Sequence, residues 1–226
     1  MNGNMHNRLG QAGEIFTNIL VLVILCTQPI LAQENPGECL SEDEASLGQL
    51  INDYRQTLGL LPVPVTVSLS TVAQWHAWDL DVNHPYGGEC NLHSWSDGAL
   101  WTPVCYTADH ANASGMWNKP REITSNEYTG NGFEIAYWTS GTVSPEGALS
   151  GWQNSPGHND VMINAGIWQS YNPWPAMGVG IRAGYAVVWF GPSADPQGTM
   201  PECGNIPTGL LAWGSIKALY RSPNSN

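Results

Sequence analysis

From Ser41 onward, the segment SEDEASLGQLINDYRQTLGL repeats apolar residues every three or four positions: Leu47, Leu50, Ile51, Tyr54 and Leu58. That spacing lays them along one face of a helix. Ser41 and Glu44 precede the run with the spacing of a capping box, in which each side chain accepts from the other's backbone N–H at a helix start. The prolines of LPVPV end the helix, because they interrupt its hydrogen-bond ladder. A second helix follows in SLSTVAQWHAWDL, where Leu69, Val72, Ala73, His76, Ala77 and Leu80 share one register. His76 falls on that apolar face and reads as a core histidine with a hydrogen-bond partner. Asp79 and Asp81, near the helix end, read as a solvated face.

Residues 83–129 are rich in Gly, Pro, Asn, Ser and Trp and keep no long period, which predicts loops with short helices. A third helix is expected over residues 145–164, broken at Ser155-Pro156-Gly157. In AMGVGIRAGYAVVWFG the alternation of Met177, Val179 and Ile181, a turn at Ala183-Gly184, and the return as Tyr185, Val187 and Trp189 predict a β-hairpin. Early helices, a broken later one and a terminal hairpin place the chain in the α+β class, with helices covering an antiparallel sheet.

Arg8, the apolar run IFTNILVLVILC from Ile15 to Cys26 and the small residue Ala32 read as a secretory signal peptide over residues 1–32. The apolar core is short for a membrane span. Leu25 stands where a lipoprotein signal has a small residue before its cysteine. Residues 33–226 are then expected to form one secreted domain, extracellular or periplasmic.

That domain keeps Cys39, Cys90, Cys105 and Cys203, and four cysteines in an exported chain point to two disulfides with three connectivities. Cys90 and Cys105 flank a compact loop, whereas Cys39 and Cys203 lie near the two ends, so the expected bridges are Cys90–Cys105 and Cys39–Cys203. In the chain-entropy picture they contribute about 3 and about 5 kcal/mol. The formal net charge of -12 opposes nucleic acid and anionic membrane surfaces as partners. It leaves neutral, cationic or apolar partners: a small apolar molecule, a lipid, a peptide or a protein.

The break at SPGH carries the first candidate chemistry. Ser155 is placed to cap a helix and Pro156 to begin it, with Gly157 allowing close backbone approach, so His158 enters the first turn. The positive end of a helix favours the neutral imidazole, which can accept a proton or bind a metal.

Three stretches together resemble the CAP superfamily, which includes cysteine-rich secretory proteins, antigen 5 and plant pathogenesis-related proteins, and especially its bacterial branch. They are INDYRQTLGL with AQWHAWDL, then NGFEIAYW, then GWQNSPGHNDVMIN followed by MGVGIRAGYAVVWFG, and they span residues 44–191. The most specific piece runs from Trp152 to Asn164. The resemblance implies an α-β-α sandwich with a central cavity of two histidines and two glutamates, often able to bind zinc or another divalent cation. His158 matches the histidine of SPGH, His93 in CNLHSW the other cavity histidine, and Glu134 in NGFEIAYW one glutamate. Gln153, Asn154 and Ser155 occupy the place of the second glutamate, which has no match.

His93, His158 and Glu134 suit a three-ligand zinc site with one open position. The other reading has both histidines bonded to Glu134 or to backbone groups, only ordering the cavity. The resemblance implies a binding or interaction protein for a lipid, sterol or peptide. The alternative is a metal-dependent, protease-like hydrolase with Glu134 as ligand or general base; if Glu134 is a ligand, the base must come from Glu127, Glu146 or Asp160. HExxH, GxSxG and GxxxxGK are absent from the sequence. His84 and His110 read as solvated loop histidines, and Asn112-Ala113-Ser114 fits the glycosylation pattern.

Overall fold

The computed structural model describes residues 36–205, so the signal peptide expected over residues 1–32, Cys26 included, lies outside the described residues. In chain order the elements are helices α1 (Glu42–Thr57), α2 (Val67–Val82), α3 (Ala113–Trp117) and α4 (Lys119–Ile123), strand β1 (Phe133–Trp138), helices α5 (Pro145–Gln153) and α6 (Pro156–Met162), and strands β2 (Ala176–Arg182) and β3 (Tyr185–Gly191). Short 3-10 helices cover Gly166–Tyr171 and Cys203–Asn205. The sheet is antiparallel with order β1-β3-β2, which leaves β1 and β2 as edges.

The sheet buries both faces. On one, α2 supplies Leu69, Val72, Ala73, Ala77 and Leu80 against Ala136, Val187 and Trp189. On the other, Leu47 and Ile51 of α1, Trp152 of α5 and Val161 of α6 pack with Phe133, Ile135, Val179 and Val188. The α+β class and the layered sandwich are as expected. Each apolar face excludes water from the next, at about 25 cal/mol per Å² of apolar surface.

The strand β2 explains how α2 sits so close. Met177, Val179 and Ile181 alternate toward α1, and glycine fills the intervening positions. A Cβ on Gly178 would fall 1.9 Å from the Leu69 carbonyl carbon, and one on Gly180 2.3 Å from that of Ala73. The helix backbone therefore rests directly on the strand. The hairpin turns at Ala183-Gly184 as predicted, with Ala183 in the left-handed region at φ 48. β1 is not announced by alternation, because Phe133, Glu134, Ile135 and Ala136 are all buried in succession.

The capping box of α1 forms: Glu44 accepts from the Ser41 N–H at 2.9 Å, and Ser41 Oγ from that of Glu44 at 3.3 Å. Glu44 also accepts from Ile181 N at 3.0 Å, tying the helix start to the β2 edge. The apolar stripe of α1 ends differently from the expectation. Leu58 is exposed, and the buried position near that end belongs to Arg55, whose Nε donates to the Leu61 carbonyl at 3.0 Å and Nη1 to Asn164 Oδ1 at 2.9 Å. Asp79 also departs from expectation. It is fully buried, because its carboxylate accepts from the N–H of Ser96 at 2.9 Å and from the Ser96 hydroxyl, tying the following loop to α2. Asp81 pairs with Arg182.

Both disulfides join the expected partners, Cys39 to Cys203 and Cys90 to Cys105. The first is flanked by a backbone bridge, with Leu40 N donating to Pro201 O and Cys203 N to Leu40 O. Among the described residues no helix is long and apolar enough to cross a membrane.

Candidate functional site

Glu134 is the second residue of β1, opposite Trp189 of β3, and its carboxylate is fully buried on the α2 side of the sheet. A buried carboxylate is costly without partners. It has two: His76 Nδ1 of α2 lies 2.5 Å from Oε2, and His93 Nδ1 lies 2.9 Å from Oε1. Burial raises the Glu134 pKa, but the charge and hydrogen bonds of His76, followed by those of His93, outweigh it and hold the carboxyl below the usual glutamate range.

His76 is the core histidine expected, and its hydrogen-bond partners make it part of the site. Its Nε2 donates to the Ser94 carbonyl at 3.0 Å, and its ring stacks on Trp95 at 4.1 Å between centroids. With the Glu134 carboxylate on the other nitrogen, both ring nitrogens face oxygen atoms of the protein. The periodicity of α2 showed that His76 is inside. It could not show the partner, 58 residues away.

His93 is held by its loop. The Cys90–Cys105 disulfide closes the loop, Trp95 and Val104 exchange backbone hydrogen bonds at 2.8 and 3.0 Å, and Asn91 Oδ1 accepts from His93 N at 3.0 Å. Nδ1 is the nitrogen that faces the carboxylate, so it is the one that carries the proton in the neutral ring, and Nε2 points away from Glu134. Tyr106 packs edge-on against the ring at 5.2 Å, and burial followed by the Glu134 charge raises its phenol pKa.

His158 approaches from the helix pair on the opposite side of the sheet, so the group assembles beside the β1 edge. Its ring centroid lies 6.5 Å from that of His93. Burial, then the neighbouring His93, lowers its pKa, with Glu134 acting in opposition. The neutral imidazole is as expected, but desolvation is its first cause rather than the helix end. Ser155 adopts an extended cap conformation without a side-chain hydrogen bond, and Pro156 opens α6. Gly157 is not needed for close approach, since a Cβ there would meet nothing within 4 Å. Tyr54 donates to Asn159 Oδ1 at 3.0 Å and thereby anchors α6 to α1.

His93, His158 and Glu134 are thus neighbours. The other candidates lie elsewhere: His84 contacts Tyr86, His110 contacts the Tyr106 hydroxyl, and Glu127 and Glu146 are exposed. Gln153 and Asn154, at the place of the unmatched second glutamate, are exposed as well. Among the described residues no group of three or more His, Cys, Asp and Glu side chains has a geometry that could hold a metal ion. Both Glu134 oxygens and both His76 nitrogens have protein partners. That leaves His93 Nε2 and the His158 ring without a hydrogen-bond partner among the described residues, with Glu134 orienting the His93 ring from behind.

A profile of the cysteine-rich secretory protein family, CAP, matches residues 49–168, more than half of the chain. The chain belongs to the CAP family. A comparison with curated proteins finds no match. Among solved structures, the CAP domain is similar to an extracellular protein containing an SCP domain from Bacillus anthracis, at 17% identity and TM-score 0.45 over 66% of this chain and 39% of that one. It is similar to a cysteine-rich secretory protein from Staphylococcus aureus, at 15% identity and TM-score 0.43 over 72% and 40%. An outer surface protein from Borrelia burgdorferi is similar at 20% identity and TM-score 0.43 over 66% and 92%. The chain therefore spans about two fifths of the length of the first two. The resemblance implies two histidines and two glutamates in the CAP cavity, whereas this domain gathers three histidines around one glutamate.

Proposed function

We propose that this CAP domain is an exported binding protein whose ligand meets the open imidazoles of His93 and His158. The observation that carries the reading is the 2.9 Å bond from His93 Nδ1 to Glu134, which fixes the tautomer and leaves Nε2 bare beside a neutral His158. Two adjacent acceptor nitrogens suit the polar group of a largely apolar ligand, such as a lipid, sterol or peptide. They also suit a divalent cation such as zinc, which His93 and His158 would hold and which would supply Lewis-acid character there. Export is supported by the two disulfides, which persist in oxidising compartments, and by the apolar run before Ala32. The charge of -12 favours a ligand that is not anionic.

The hydrolase reading is weaker. Glu134, its candidate base, is engaged by two imidazoles, Glu127 and Glu146 are exposed, and Asp160, half-buried on α6 two residues after His158, is the one alternative base left beside that histidine in the chain.

The test is calorimetric titration of Zn²⁺ into the signal-free protein, beside native mass spectrometry for lipid carried through purification. Replacing His93 or His158 by Ala is expected to weaken zinc binding, or to remove the copurified ligand, by at least about tenfold. Binding unchanged in both variants would exclude this imidazole pair as the contact.

A further inference from the structure

At the hairpin end of the sheet, the last cross-strand row is Trp138 of β1, Tyr185 of β3 and Arg182 of β2. Residues directly opposite one another share a face. Here that face is the α2 side, where Tyr185 packs. α2 ends at Val82, and Trp138 remains 54% exposed.

Trp138 and Tyr185 line an open cleft of about 450 Å³ together with the loop Thr139–Thr142 and the turn Ala183-Gly184. The volume is in the range of small-molecule sites. The cleft is held by backbone: Thr139 N donates to Gly184 O at 2.9 Å and Val143 N to Ala183 O at 3.0 Å. Glycine is required at the turn, because a Cβ on Gly184 would fall 2.5 Å from the Thr139 carbonyl oxygen. A wall built this way loses little freedom when a ligand arrives.

The chemistry of the lining is aromatic and hydroxylic, with its charges cancelled. Arg182 Nε lies 2.8 Å from Asp81 Oδ2, so the charged groups at the end of the row neutralise one another. The hydroxyls of Tyr86 and Tyr185 bond to each other, and burial followed by that bond pushes the Tyr185 phenol up to about 12, which keeps it uncharged. Ser140 and Thr142 are exposed, and their hydroxyls bond to no described residue.

We propose that this cleft is a second binding site, separate from the histidine cluster, that takes a neutral pyranose unit of an oligosaccharide. A pyranose has one face of polarised C–H groups, which suits the negative face of the Trp138 indole, and a rim of hydroxyls, which suits Ser140, Thr142 and the loop carbonyls. A purely aliphatic ligand would leave those hydroxyls unpaired, and an anion would meet no uncompensated positive charge.

The experiment is saturation-transfer NMR and tryptophan-fluorescence titration with chitotriose and cellotriose, using wild type, Trp138→Ala, Trp138→Tyr and the His93→Ala variant. Saturation of the sugar ring protons is expected with at least one of the two trisaccharides. Trp138→Ala should weaken its binding at least tenfold, and Trp138→Tyr should restore it to within about threefold. His93→Ala should leave it unchanged, so failure of the histidine-cluster reading does not affect this result. Because Trp138 is exposed, the substitution spares the core, and a wild-type far-UV spectrum would confirm the fold. No saturation transfer with either sugar at millimolar concentration, or equal binding by Trp138→Ala, would overturn the proposal.

Discussion

His76 of helix α2 and Glu134 of strand β1 form a fully buried pair, 2.5 Å between Nδ1 and Oε2. The Ser94 carbonyl lies 3.0 Å from the other ring nitrogen. The pair therefore joins helix, strand and the disulfide-closed loop in one polar contact within an apolar layer.

Removing one member leaves the other buried without its partner. His76→Ala is expected to cost about 3–5 kcal/mol, more than a surface substitution by several-fold, with part of the loss from the Trp95 stack. Urea unfolding of wild type and variant measures it. A cost under 1 kcal/mol would show that the pair does not stabilise the fold.

The same pair gives a pH dependence. Glu134 titrates below its unfolded value in the folded protein, so its contribution is fully present above the ordinary glutamate range and is lost as pH falls through the lowered value. Wild-type stability should therefore drop on the acid side of about pH 4.3. In Glu134→Gln that part of the slope should vanish, as read from denaturant midpoints between pH 3 and 7.

His158 should titrate below the usual histidine midpoint, since burial and then His93 disfavour its charged form. Histidine ring signals followed by NMR give the midpoint directly. His93→Ala removes one depressing influence, so the His158 midpoint should rise in that variant; a midpoint that stays or falls contradicts the arrangement.

Gly178→Ala tests the contact between α2 and β2. The new methyl would sit 1.9 Å from backbone of α2, which cannot move aside as a side chain can. A loss of more than about 3 kcal/mol is expected, at the top of the usual overpacking range. Gly157→Ala, whose Cβ meets nothing within 4 Å, serves as the comparison and should stay within about 1 kcal/mol of wild type.

The sequence by itself determined what depends on neighbours in the chain. The capping box at Ser41 and Glu44, the register of α2, the break before His158 and the hairpin turn at Ala183-Gly184 are all set within a few residues, by hydrogen-bond geometry and by the period of the apolar face. Both disulfides followed from the spacing of four cysteines. The SPGH segment and its companions also carried the family resemblance. Tertiary structure decided what depends on residues far apart. Strand β1 shows no alternation because its first four residues are buried on both faces, with α5 on one side and His76 and the His93 loop on the other. Leu58 gave up the inner position to Arg55 because the Leu61 carbonyl, six residues on, accepts from its Nε and the Met162 carbonyl, 107 residues away, from its Nη1. Asp79 turned inward because Ser96, 17 residues on, supplies two donors. His76 became a member of the site because packing α2 on the sheet places its ring against the buried Glu134 carboxylate. A period can say that a side chain is inside; only the packed fold says what it meets.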